Sequence, residues 1–260
     1  MRMRRLVLWL IAGVLAVALT VLAFLPAGWL SVIVEKQTGG RLALGDAQGT
    51  LWRGSAFIGG APSGADPLTP LLPGRFSWRL SPTLLLGRVD AELQNAEALS
   101  APVHISGSWT EWQISQAAIV LPAERLAGLG MPLNTIQPSG QMRLSWNTVQ
   151  LARQGQRVDL NGSLVLEMTN IASRLSPIKP LGAYRLTMDW HGQDAKLQLE
   201  TVKGPMLLSG AGGVGNGRFQ FSGRAEAAAG EEERLANLLN LLGQRRTEDG
   251  KNFIALEFRQ

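Results

Sequence analysis

The chain has 260 residues, 45% of them hydrophobic, with 25 Lys plus Arg against 20 Asp plus Glu and no cysteine. The missing cysteine excludes thiol catalysis, thiolate metal sites and lipoprotein acylation, and it suits a bacterial periplasm, where a domain of this size needs no disulfide. Arg2, Arg4 and Arg5 precede the first apolar run; without them the balance is 22 against 20, too even for the clustered basic face that nucleic-acid binding requires.

Residues 6–25, LVLWLIAGVLAVALTVLAFL, carry no charge. At about 1.5 Å per residue they predict a helix of roughly 30 Å, the thickness of a bilayer's hydrocarbon core. The arginines before the run, with Glu35 the first charge after it, predict residues 1–5 in the cytoplasm and everything beyond residue 25 across the membrane. Trp9 and Trp29 bracket the span at the depths indole rings prefer. A cleaved signal peptide has an apolar region of about 7–15 residues ending in small residues. This run is longer and passes through Phe24, Leu25 and Pro26 into AGWLSVIVEK, which favours an uncleaved signal-anchor.

Residues 26–37 read as a helical extension, Trp29 to Lys36 stopping at Thr38-Gly39-Gly40. Residues 38–260 then read as a periplasmic domain in which the apolar period changes to two. The alternating runs are Phe76/Trp78/Leu80, Val89/Ala91/Leu93, Met142/Leu144/Trp146, Val158/Leu160 into Leu164/Leu166/Met168, Tyr184/Leu186/Met188/Trp190, Leu197/Leu199 and Phe219/Phe221. One apolar and one polar face per run, with short turns at 190–194 and 215–217, argue for antiparallel sheet. Gly59 to Gly74, with four prolines, reads as a long surface loop.

Two short helices are expected. Pro122 to Gly130 opens on proline and closes on glycine. Glu231 to Gly243 begins with three glutamates, suited to the positive end of a helix, and its Leu235, Leu238, Leu239 and Leu242 form a stripe that should cover an apolar sheet face. A last strand carries Ile254, Leu256 and Phe258 on one side. Segments that enter after glycine and end on tryptophan, at 74–78, 140–146 and 182–190, echo one another too irregularly for a solenoid or propeller.

Several residue groups invite a chemical reading. Gly210-Ala-Gly-Gly-Val-Gly215 matches the dinucleotide fingerprint, which requires a following helix to hold the pyrophosphate. Here Arg218-Phe-Gln-Phe221 follows, a strand pattern, so a glycine-rich hairpin is expected. His191 stands beside Asp189 and Asp194 but within a turn, and no G-x-S-x-G elbow occurs. His104 belongs to a polar strand face, and Asp189 and Glu200 offer an acid–base pair, although carboxylates on polar strand faces are usually just solvated. No catalytic, metal or cofactor-binding residue is assigned, no cofactor is expected, and the chain is read as not an enzyme.

Thr38-Gly39, Gly49-Thr-Leu-Trp52-Arg-Gly54, Trp78-Arg-Leu-Ser-Pro82-Thr-Leu-Leu-Leu86-Gly87, Gly204-Pro205 with Gly210, Phe219-Gln-Phe-Ser-Gly223 and Leu238-Leu-Asn-Leu-Leu-Gly243 together resemble the type II secretion system protein N family. The resemblance spans essentially the whole chain. The residue patterns above are read as a mainly β protein: one N-terminal transmembrane helix, then a curved antiparallel sheet with one or two short covering helices. The family resemblance implies an accessory inner-membrane component that supports export of folded proteins across the outer membrane. Other secretion components and the inner membrane are the expected partners, with lipid as a further one and nucleic acid excluded. A more distant likeness to AsmA-type envelope proteins implies the alternative of a β groove that binds or bridges lipid. The two differ in whether the apolar faces close into a core or line an open trough.

Overall fold

In the computed structural model the described residues are 2–40, 42–60, 69–129, 133–155, 157–215, 217–248 and 251–259. Pro26 divides the N-terminal helical run, because a proline lacks the N–H and clashes with the preceding turn. Helix α1 (Arg2–Ala23) ends before it and α2 (Gly28–Gln37) starts after it, so the extension is a separate helix rather than a continuation. Between them Pro26 bridges to Thr50, the Ala27 N–H donates to the Gly49 carbonyl at 3.1 Å and the Leu51 N–H to the Leu25 carbonyl at 2.7 Å. Side chains of α1 are described from Trp9, so Leu6, Val7 and Leu8 of the expected span lie outside them. Among the described residues no helix is long and apolar enough to cross a membrane.

Thr38 closes α2: its hydroxyl donates to the Val34 carbonyl at 2.8 Å and accepts the Leu42 N–H at 3.2 Å, turning the chain into the first strand. The strands are β1 (Leu42–Gly49), β2 (Arg53–Gly60), β3 (Thr69–Pro70), β4 (Phe76–Leu80), β5 (Arg88–Gln94), β6 (Val103–Ser108), β7 (Glu111–Ile114), β8 (Ala117–Pro122), β9 (Pro138–Trp146), β10 (Val149–Gln154), β11 (Arg157–Ser173) and β12 (Gly182–Gly192). They continue with β13 (Asp194–Lys203), β14 (Met206–Gly215), β15 (Arg218–Ala227), β16 (Gln244–Glu248) and β17 (Lys251–Arg259). Two further helices are α3 (Leu133–Ile136), between β8 and β9, and α4 (Glu232–Leu242), between β15 and β16.

All pairings are antiparallel and most join chain neighbours, so the sheet is largely a meander; the exceptions pair β2 with β4, β7 with β10, β9 with β11 and β15 with β17. β7 and β8 lie end to end against β10 and β9 in a single register, Ile114 opposite Val149 and Ala117 opposite Trp146. β11 runs along both of those partners, and the bulges near Met168 and Thr169, with Asn170 at φ 53°, bend its far end. At the far edge β17 pairs with β15 and β16 with β17.

The strand runs expected from alternation are all present, and the leucine stripe of the last helix packs as expected. Leu235, Leu238 and Leu239 are buried in a cluster with Tyr184, Met206, Ala225, Ile254 and Leu256, joined by Ile178 and Leu181 from the β11–β12 connection. Burial pushes the Tyr184 phenol well above its ordinary pKa, and its hydroxyl donates to the Met206 carbonyl at 3.0 Å. Two expectations change. Pro122 ends β8, and the turn after it is a short 3-10 helix, Ala123–Leu129, with Gly130 outside the described residues. The stretch 59–74 is not all surface loop: Gly59 and Gly60 close β2 opposite Pro70 and Thr69, and Leu71 is buried, while 61–68 fall outside the described residues.

Candidate functional site

Alternation fixes one face of the sheet as apolar, and the register aligns that face across the strands. Two rows show how unevenly it is covered. Met168 and Tyr184 are opposite each other, as are Ala225 and Ile254, and α4 closes over this end. The next row but one runs Trp146, Leu164, Met188, Leu197, Gly212, Phe221, Phe258. It lies outside the cluster; its large side chains are half-buried and Phe258 is 53% exposed. The face is therefore a core at the α4 end and an apolar surface toward the opposite rim. A cleft of about 550 Å³ opens beside α4, between Leu239, Arg245 and the β15 and β17 strands.

Gly210 and Gly212 of the fingerprint-like segment belong to this face, while Gly213, opposite Lys196, belongs to the other. They lie inside β14, and the next element is β15, so no helix terminus is present to receive a pyrophosphate. A Cβ at Gly210 would stand 2.6 Å from the Phe221 ring, at Gly212 2.9 Å and at Gly223 2.9 Å. Three glycines thus make a floor on which one phenyl ring lies, an aromatic covering of exposed glycine backbone. The ring also packs against Phe258, centroids 6.3 Å apart.

The polar face holds the groups that suggested chemistry. His191 pairs with Asp194 at the end of the β12–β13 hairpin, is exposed, and Gly192 at φ 66° makes the turn. Asp189 is opposite Lys196, while Glu200 is opposite Arg185 and accepts from it at 3.4 Å, as does Glu167 from the neighbouring strand. Four residues of strand separate the two positions, about 13 Å, so Asp189 and Glu200 do not form an acid–base pair. His104 is exposed opposite Glu92, on β6 and β5, far along the meander from His191. Among the described residues no three His, Asp or Glu side chains are grouped to hold one metal ion.

The rim at which α1 meets the sheet is the other distinctive feature. Gly49 at φ 87° is opposite Gly54, closing the β1–β2 hairpin around Thr50 to Arg53. From that hairpin the Trp52 Nε1–H donates to the Leu22 carbonyl of α1 at 2.7 Å. Trp78 donates its Nε1–H to the Leu51 carbonyl at 3.0 Å and lies across Gly54, where a Cβ would stand 2.5 Å from its ring. The Leu80 N–H donates to the Trp52 carbonyl at 2.7 Å, and Ser81 then caps the 3-10 turn Pro82–Leu86. Sequence reasoning flagged these tryptophans and glycines as motif letters without the reason: close approach at Gly49 and Gly54 lets two indoles tie α1, the first hairpin and β4 together. From Trp9 in α1 to Phe24 just after it, every described large apolar side chain except Leu22 is exposed.

A family model described as type II secretion system (T2SS), protein N, matches residues 40–253. No curated protein and no solved structure matches the chain.

Proposed function

The chain belongs to the type II secretion system protein N family, and from that premise we propose an accessory inner-membrane component that supports export of folded proteins by contacts with other parts of the secretion machinery, without catalysing a reaction. The family match, covering the sheet from its first strand into its last, carries this reading. Its membrane half is supported by α1, whose described exposed side chains are apolar on all sides but for Thr20, its hydroxyl bonded back to the Ala16 carbonyl, and by the arginines before it, which favour a cytoplasmic N-terminus and a periplasmic sheet. Retention of α1 is supported at Ala27, which is 1% exposed and bonded into the sheet beside the first hairpin.

Deleting the gene should leave exoproteins in the periplasm, and the full-length chain should restore their release. A periplasm-dependent reporter fused after Gln260 should be active, with the mature protein starting near Met1. Cleavage near Ala27 would sink the anchor, and unchanged secretion in the deletion strain would sink the secretion role.

The half-buried row from Trp146 to Phe258 favours a second reading, in which the uncovered apolar face takes lipid. Mass spectrometry of the detergent-extracted protein would then find phospholipid in fixed proportion to it, lost on substituting Leu197 by Gln. Lipid at detergent-exchange background in both forms would remove this reading.

A further inference from the structure

The motif Ser81-Pro-Thr-Leu-Leu-Leu-Gly87 serves neither the core nor the sheet. Its 3-10 turn is well built: the Ser81 hydroxyl accepts the Thr83 N–H at 3.3 Å, and Gly87 at φ 85° returns the chain to β5. Yet it points its largest side chains outward, Leu85 at 50% and Leu86 at 87% exposure. Trp109, from the β6–β7 turn, stands beside it at 57% exposure with its Nε1–H donated to the Leu84 carbonyl at 2.7 Å. A structured turn braced by an indole is a poor place to leave leucines in water.

Its position identifies what covers it. The register carries one rim through Arg53 opposite Arg79, Leu80 opposite Ala91, and Arg88 opposite Ser108, so the Pro82–Leu86 turn and Trp109 lie on the rim that holds the α1 exit. Two hydrogen bonds link turn and helix, Leu80 N–H to Trp52 and Trp52 Nε1–H to Leu22. Charges follow the same plan. Arg88 and Arg153 stand exposed at strand ends beside the apolar tips, from where long side chains reach a headgroup layer. Asp90 and Glu92 are set back along β5, Glu92 3.7 Å from Arg79; Glu111 lies at the rim, and Asp159 shares its row through Ala152.

We infer that Leu85, Leu86 and Trp109 form a second membrane foot, a patch that enters the headgroup and upper acyl layer of the bilayer on the side where α1 emerges. This rests on the anchor reading above. Two separate points of attachment, helix and foot, fix the tilt of the sheet on the membrane, where a single helix leaves it to swing. Tryptophan at the interface and leucine just beneath it is the chemistry of such a layer.

The absence of native cysteine allows a direct test on the full chain in nanodiscs of phosphatidylethanolamine and phosphatidylglycerol. Single thiols are placed by Leu86→Cys at the foot, Lys203→Cys at the opposite rim and Val14→Cys within α1. Each is labelled with a polarity-sensitive fluorophore and read against lipids spin-labelled high on the acyl chain. The expected result is strong quenching and a blue shift at positions 86 and 14 and neither at 203, with the effect at 86 reduced severalfold by adding Leu85→Ser and Trp109→Ala. Quenching at 14 with a water-exposed probe at 86 overturns the foot and leaves the anchor standing. Quenching at neither overturns the anchor and the foot with it. A position 86 that is water-exposed in nanodiscs yet shielded from thiol reagents in cells assigns the patch to a protein partner and overturns the foot equally.

Discussion

Placing a carboxylate at Leu235 tests whether α4 is a structural lid. The side chain is 0% exposed, inside the cluster of Tyr184, Ala225, Ile254 and Leu256. Losing its burial removes about 1.5–3 kcal/mol. Keeping an aspartate there neutral, with its pKa raised by about three units, adds about 4 kcal/mol. The sum, about 6 kcal/mol, is comparable with the whole stability margin of an ordinary domain, about 5–15 kcal/mol. Leu235→Asp should therefore release α4 and lower the melting temperature of the detergent-solubilised chain by on the order of 10 °C or more. Trypsin supplies a local readout, because Arg234, Arg245 and Arg246 flank or lie on the released segment. Leu241→Asp, at a position 62% exposed on the same helix, should change stability by less than about 0.5 kcal/mol. Leu239→Asp should fall between them, since Leu239 borders the cleft that Arg245 also lines. A Leu235→Asp protein that melts and resists trypsin like wild type would refute the assignment of α4 to the core.

Gly212→Val should cost about 1–3 kcal/mol in chemical unfolding, because its Cβ would press on the Phe221 Cα at 2.8 Å, whereas Gly215→Ala, with only Asp194 Oδ1 at 3.5 Å, should be near neutral. Tyr184 keeps its proton in the fold beyond the pH at which the unfolded chain loses it, so its contribution is complete below about pH 10 and should fall as pH rises above that, in a denaturation series. Tyr184→Phe should lose about 1 kcal/mol at neutral pH and flatten that alkaline decline. His191→Gln with Asp189→Asn should leave secretion near the wild-type level; a large defect at unchanged protein level and protease resistance would reopen an enzymatic role.

Strand period and turn chemistry are local, and so the alternating runs from Phe76 to Phe258 and the stripe of α4 were legible in the residues themselves. Alternation passed over β3, β7, β8 and β10, and three more of the strands it missed are of another kind. β1 and β2 contain Gly45, Gly49, Gly54, Gly59 and Gly60, and their pairing depends on close backbone approach rather than on an apolar side-chain pattern. β16 is polar along its length, held by hydrogen bonds to β17 at the sheet's edge. Composition placed 210–215 in a glycine-rich hairpin but gave no reason for its glycines; for Gly210 and Gly212 the reason is the ring of Phe221 on the next strand, which needs a flat floor.

An uncharged run after three arginines is a property of the chain alone, and so is an apolar face on every strand. Which parts of that face are closed is decided by where the connections land: the stripe of α4 covers the end beside Tyr184 and Ile254, and Phe76 and Val103 are buried away from it. Which turns share a rim with α1 is decided by register, because in a meander every second turn returns to the same side however far apart the residues stand in sequence. That accumulated pairing, which no single stretch encodes, brings Leu86 and Trp109 to the rim that holds the end of α1.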